Sequence, residues 1–204
     1  MIIFPRIQSI GDAAAVIEFG DQIDLAVNKR VHALAVLLIA DKLTGVIELL
    51  PSYAALTVHY DPLVLTYEEV ARWLQEKSEH LLDLDAYSPR VIEVPTIYGG
   101  EFGPDLDFVA QYHHLTPEAV VRIHSEREYR VFMLGFTPGF PYLGEVDERI
   151  VTPRLDTPRR RVPAGSVGIA VKQTGIYPIE YLGGGGSSGV PPLNCSIRAE
   201  SCHF

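Results

Sequence analysis

The sequence predicts an α+β chain in two parts. A small sandwich of helices on a sheet occupies residues 1–88, and a β-rich domain that closes into a small barrel occupies residues 89–204. Three observations predict this. The first part alternates strand-like runs with two helical patterns, in the order strands, helix, strand pair, helix. The character of the chain changes after Asp83, where Ser88-Pro89 and Gly99-Gly100 act as punctuation. From Tyr129 onward, short apolar runs are separated by Gly- and Pro-rich turns.

The elements follow in order. Residues 3–10 and 13–19 read as extended, with Gly11-Asp12 as the turn. Residues 22–40 read as a helix, because Ile23, Val27, Val31, Leu34, Leu37 and Leu38 recur at helical spacing and Asp21 can cap the start. Residues 46–50 and 54–60 are strands on either side of Pro51. Thr66 and Glu69 have the spacing of a capping box for a second helix, whose apolar face carries Val70, Trp73 and Leu74. Residues 91–97 read as a further strand, and residues 104–113 as a short helix. Thr116-Pro117-Glu118 supplies an N-cap, a first-turn proline and a first-turn acid for a helix reaching about Ser125.

Composition excludes several classes of function. A chain of 204 residues with net charge −9 is a poor general partner for nucleic acid or an anionic membrane. No apolar run reaches the length of a membrane span, and the first residues do not read as a signal peptide. Both cysteines, Cys195 and Cys202, fall in the last ten residues, so no disulfide framework supports the body. These features suit a cytoplasmic protein. His113, His114 and His124 lack metal-ligand spacing and read as surface residues, so no metal is expected.

The chemistry gathers between Phe132 and Glu180, where glycine and proline shape a frame that carries aromatics and arginines. Arg154, Arg159 and Arg161 can grip a carboxylate or phosphate. Phe136, Phe140 and Tyr142 can form an apolar wall around Pro138, although burial in a core is the simpler reading of Phe136 and Tyr142. Thr157, Gln173, Thr174 and Tyr177 add neutral hydrogen-bonding groups. Ser166, in PAGSVG, has no base beside it in sequence and reads as a turn residue. No catalytic residue is identifiable.

Three words in this stretch are long, ordered and specific: GFTPGFPYLG (135–144), PRLDTPRRRVPAGSVGIA (153–170) and QTGIYPIE (173–180). In them the chain resembles the KipI family, also called the 5-oxoprolinase B subunit or allophanate hydrolase subunit 1. The resemblance implies a cyclophilin-like β-barrel as the second domain. It also implies one component of an ATP-dependent 5-oxoprolinase, opening 5-oxo-L-proline to L-glutamate, with ATP as the co-reactant. The implied partners are a KipA-like C subunit and a LamB/YcsF-like A subunit. Related domains in urea amidolyase carry the carboxyltransferase name. The alternative it implies is a regulator that binds a sensor histidine kinase. Prolyl isomerisation would rest on fold analogy alone.

The tail departs from that family. After Tyr181 the chain reads LGGGGSSGVPPLNCSIRAESCHF, where the family carries GGW, two apolar residues and GRTPLKLF. Taking the last base of each codon with the first two of the next, residues 185–196 can encode that motif. A frameshift near residues 180–184 is therefore expected, leaving a poorly packed tail from about Tyr181 and a barrel without its closing strand.

Overall fold

In the computed structural model, the described residues are 3–81, 91–155 and 159–182, with the backbone of 193–196. The chain divides into two compact units, Met1–Arg90 and Val91–Phe204. Both mix helices with antiparallel sheet, which is the α+β class that the order of elements predicts.

In the first unit, β1 (Arg6–Ser9), β2 (Ala14–Glu18), β3 (Val46–Pro51) and β4 (Ala55–Tyr60) pair in the order β1-β2-β4-β3, all antiparallel. Helices α1 (Leu25–Asp41) and α2 (Tyr67–Glu79) share one core with alternate residues of the two central strands: Ala15 and Ile17 from β2, and Leu56, Val58 and Tyr60 from β4. Period-two alternation puts these five on one face, so both helices cover the same side. The capping box forms as its spacing predicts: Glu69 N donates to Thr66 Oγ1 at 3.3 Å, and Thr66 N donates to Glu69 Oε2 at 2.8 Å. The start of α1 differs from the expectation. Asp24, not Asp21, is the cap, its carboxylate accepting from Val27 N at 2.9 Å, because Asp24 holds the extended φ and ψ that a cap requires.

The second unit opens with residues 91–98, which form no strand. The apolar run there pairs with no described backbone, and Pro95 removes a donor. Helices α3 (Leu106–Tyr112) and α4 (Pro117–Ser125) follow. Thr116 caps α4 through Ala119 N at 3.2 Å, with Pro117 in the first turn, as expected. The strands are β5 (Val131–Leu134), β6 (Pro141–Leu143), β7 (Arg161–Val162), β8 (Ser166–Ala170), β9 (Gln173–Ile176), β10 (Tyr181–Leu182) and β11 (Leu193–Ser196). Five of them form one antiparallel sheet, β11-β8-β9-β6-β5, and β7 pairs with β10 in a separate ribbon. Helices α3 and α4 pack on the sheet through Val109, Val120, Ile123, Ile150 and Ile169.

The expected tail needs one correction. Tyr181 and Leu182 are paired with Val162 and Arg161, and Leu193–Ser196 occupies the edge beside β8. Tyr181 is held because its ring packs against Phe136, 4.9 Å between centroids. The remainder of the expected frameshifted tail, residues 183–192 and 197–204, lies outside the described residues.

Candidate functional site: an aromatic face on a glycine floor

Register sorts the residues of the β8–β9 hairpin onto two faces. Val167 stands opposite Ile176, Gly168 opposite Gly175, Ile169 opposite Thr174, and Ala170 opposite Gln173. Ile169 belongs to the core beneath the helices, so Thr174 faces that way too. Gly168, Gly175, Gln173 and Tyr177 face the other side. Tyr142, paired with Gly175 across β6, joins them, and Phe140 lies two residues before it. The facing glycines leave bare backbone on this side. A Cβ on Gly175 would come within 2.5 Å of Phe140 Cζ, so the Phe140 ring occupies the place a side chain would take.

Four further contacts build the aromatic cluster. Phe140 meets Tyr142 and Tyr177 at 5.1 and 5.0 Å, both edge to face. Phe136 meets Phe140 edge to face at 5.5 Å and Tyr177 at 6.3 Å. Such geometries add to the area term because ring edges and faces carry opposite partial charge. Phe140 and Tyr177 are buried and Tyr142 is half-buried. Phe136 is 52% exposed, which corrects the core reading of that residue. It sits at the tip of the 135–140 loop with φ of 62°, beside the exposed Pro138. The loop is closed by Gly135 N to Phe140 O at 3.0 Å and Phe140 N to Thr137 O at 3.0 Å.

The arginines have separate fates. Arg159 forms an ion pair with the buried Asp105, the residue preceding α3. Arg161 pairs with Glu180 across the exposed ribbon, Nε to Oε2 at 2.6 Å. Arg154 is exposed and close enough to Tyr177 to act on its phenol electrostatically. Burial dominates there and pushes the Tyr177 phenol up, so it stays protonated. Thr157 lies outside the described residues. Gln173 is half-buried on the aromatic face. Thr174 is turned inward, its hydroxyl donating to Gly168 O at 3.0 Å. Arg159→Ala should destabilise the second unit by about 1–3 kcal/mol, because it removes the ion-pair partner of the buried Asp105 carboxylate. Arg161→Ala should change stability little, its partner being exposed. Urea unfolding of both variants checks the contrast, and equal losses would refute it.

The family model for the carboxyltransferase domain, subdomain C and D, matches residues 5–187. The chain belongs to that family. It is 43% identical over 198 residues to the 5-oxoprolinase B subunit of Bacillus subtilis (strain 168), covering 92% of this chain and 82% of that one. It is 42% identical over 185 residues to the protein of the same name from Escherichia coli O157:H7, covering 88% and 81%. The crystal structure of TTHA0988 in space group P212121 superposes with TM-score 0.75 at 36% identity over 91% of this chain. This chain spans only 34% of that one. The urea amidolyase of K. lactis shares the fold, with TM-score 0.67 at 14% identity over 94% of this chain and 12% of that one. The family is the one that the three motif words indicate.

One constellation escapes sequence reasoning. His124 is buried, not a surface residue, and joins Tyr98 on the loop to Thr174 on β9. The proton order follows by elimination. Thr174 spends its only proton on Gly168 O, so at Oγ1 it accepts from His124 Nε2–H, 3.2 Å away. Nδ1 then carries the lone pair and accepts from the Tyr98 hydroxyl at 2.7 Å. Tyr129 adds a hydrogen bond to His124 O at 2.9 Å. Burial pulls the imidazole down to about 4, so it is neutral at pH 7. The signal was present: Val120, Ile123 and His124 share the apolar face of α4. His113 bonds Thr152 Oγ1 at 3.1 Å, and burial lowers its pKa as well. Among the described residues, no group of three or more His, Cys, Asp or Glu side chains could hold a metal.

Proposed function

We propose that this chain is the B subunit of an ATP-dependent 5-oxoprolinase. The assembled enzyme opens 5-oxo-L-proline to L-glutamate and acts with a KipA-like C subunit and a LamB/YcsF-like A subunit. The observation that carries this reading is family membership over residues 5–187, together with relatives more than 40% identical that are named as the B subunit of 5-oxoprolinase. The chemistry is coherent. A lactam is a stable amide, and ATP supplies the phosphoryl group that turns its carbonyl oxygen into a leaving group. The chain contributes recognition through the aromatic face of Phe136, Phe140, Tyr142 and Tyr177, flanked by Gln173 and Arg154. We assign the cyclophilin-like barrel to the second unit. The five-stranded sheet and the β7–β10 ribbon, which share the Phe140, Val162 and Tyr177 core, support this assignment. Cytoplasmic residence fits the confinement of cysteine to the last ten residues.

The test is reconstitution. This chain, and a version with the hidden reading frame restored after Tyr181, are mixed separately with the two partner proteins, 5-oxoproline and ATP, and glutamate is measured. Glutamate formation that requires all three proteins is expected. Its absence with both versions would overturn the reading.

A further inference from the structure

Among the described residues, three buried side-chain polar atoms have no hydrogen-bond partner: Thr137 Oγ1, Ser166 Oγ and Arg159 Nε. Two of them belong to the segments that pack at Tyr177. Thr137 sits between Phe136 and Phe140, whose rings lie 6.3 and 5.0 Å from that of Tyr177. Ser166 is the cross-strand neighbour of Tyr177. The register Val167↔Ile176 continues one step outward, with Tyr177 N donating to Ser166 O at 2.8 Å. Facing residues of an antiparallel pair project to the same side, so the fully buried Ser166 side chain stands on the aromatic face.

A buried hydroxyl without a partner has lost its hydration and gained nothing in return, and folded proteins leave few such groups. Phe136 adds a second local cost, since its left-handed φ of 62° is disfavoured for a bulky side chain. Costs that gather at one spot mark a place shaped for something other than folding. The phenol of Tyr177 is itself desolvated and protonated, which makes it a standing donor.

We infer that the hydroxyls of Thr137, Ser166 and Tyr177 form a hydrogen-bonding seat for the cis-amide edge of a small lactam lying against the aromatic face. This inference rests on the proposed function and names the part of the substrate that these residues read. A cis-amide shows its carbonyl and its N–H side by side on one edge. Reading that edge takes a donor and an acceptor side by side, and a hydroxyl can serve as either. The three seat groups are themselves uncharged, as a neutral amide requires; Arg159 and Arg161 are engaged by Asp105 and Glu180, and Arg154 acts on Tyr177 from the exposed side. A site built to hydrogen-bond both groups rejects an analogue that lacks one of them.

Ligand-observed NMR titration of the chain tests this, with 2-pyrrolidinone as the lactam probe and γ-butyrolactone as the same ring without the N–H. The wild-type chain should prefer 2-pyrrolidinone by about tenfold, the worth of one hydrogen bond to a neutral group. Ser166→Ala and Tyr177→Phe should each remove most of that preference. Ser166→Ala should leave Tm unchanged or raised, because it deletes a hydroxyl that the fold does not satisfy. Absence of lactam binding by the wild-type chain, an unchanged preference in both variants, or a fall of several degrees in Tm for Ser166→Ala would each overturn the seat. Reconstitution separates the two ideas. Equal turnover by wild type and Ser166→Ala removes the seat and leaves the enzymatic reading standing. Ser166-dependent lactam binding without glutamate formation does the reverse.

Discussion

Acidification from pH 7 to pH 4 should destabilise the second unit by about 3 kcal/mol through His124 alone. The imidazole titrates near 4 in the folded chain, against an ordinary value of 6.5. Each pKa unit is worth about 1.4 kcal/mol. The folded pKa is the lower of the two, so between them the unfolded chain binds more protons. The contribution is therefore complete above about pH 6.5 and is lost progressively as pH falls towards 4. The structural reason is burial of the imidazole, and a second proton at Nδ1 would also meet the Tyr98 donor already in place. Trp73 lies in the first unit, so the measurement needs a probe within the second. Hydrogen exchange over residues 117–125 at pH 7 and 4.5 reports it directly. His124→Gln should start less stable at neutral pH and show a flatter pH dependence. A slope identical to wild type would assign the acid sensitivity elsewhere.

Gly144→Ala should be the most damaging single-methyl addition to the sheet. A Cβ at this position would stand 1.8 Å from Phe132 Cε2 and 2.6 Å from its Cδ2. Phe132 is 5% exposed, so its ring has no free direction in which to yield. Gly144 is also tied by its N–H to Arg130 O at 3.0 Å, which holds the backbone against the ring. Relief requires either a displaced Phe132 or a separated β5–β6 pair, and the cost is about 3 kcal/mol. Urea unfolding measures it. The double variant Gly144→Ala, Phe132→Leu should recover part of the loss, because the smaller side chain vacates the contested space. Strict additivity of the two single losses would show that the glycine serves some other purpose.

Much of the architecture was legible in the sequence because its causes are local. The Thr66–Glu69 capping box, the Thr116-Pro117 start of α4 and the extended runs that become β2 and β4 each depend on residues within a few positions of one another. Where the reading failed, the deciding cause lay elsewhere in the chain. Residues 91–97 read as a strand, yet no described backbone pairs with them. Asp21 and Asp24 are equally good caps by type, and only the dihedral angles at Asp24 selected it. Arg159 looked free to hold a substrate until Asp105, far away in sequence, was found beside it.

The candidate site divides in the same way. By itself the sequence determined the family, through three motif words, and the residue types available for recognition: aromatics, arginines and hydroxyls on a glycine and proline frame. Only the tertiary structure decided which of them face the same way. Gln173, Thr174 and Tyr177 are near neighbours in sequence, but strand alternation turns Thr174 towards His124 and leaves Gln173 and Tyr177 on the aromatic face. Ser166 reads as an ordinary turn residue until register places it opposite Tyr177. The physical reason is that a one-residue change of register moves every side chain of a strand to the other face. That register is set by pairing and packing between distant segments, which no short stretch of sequence contains.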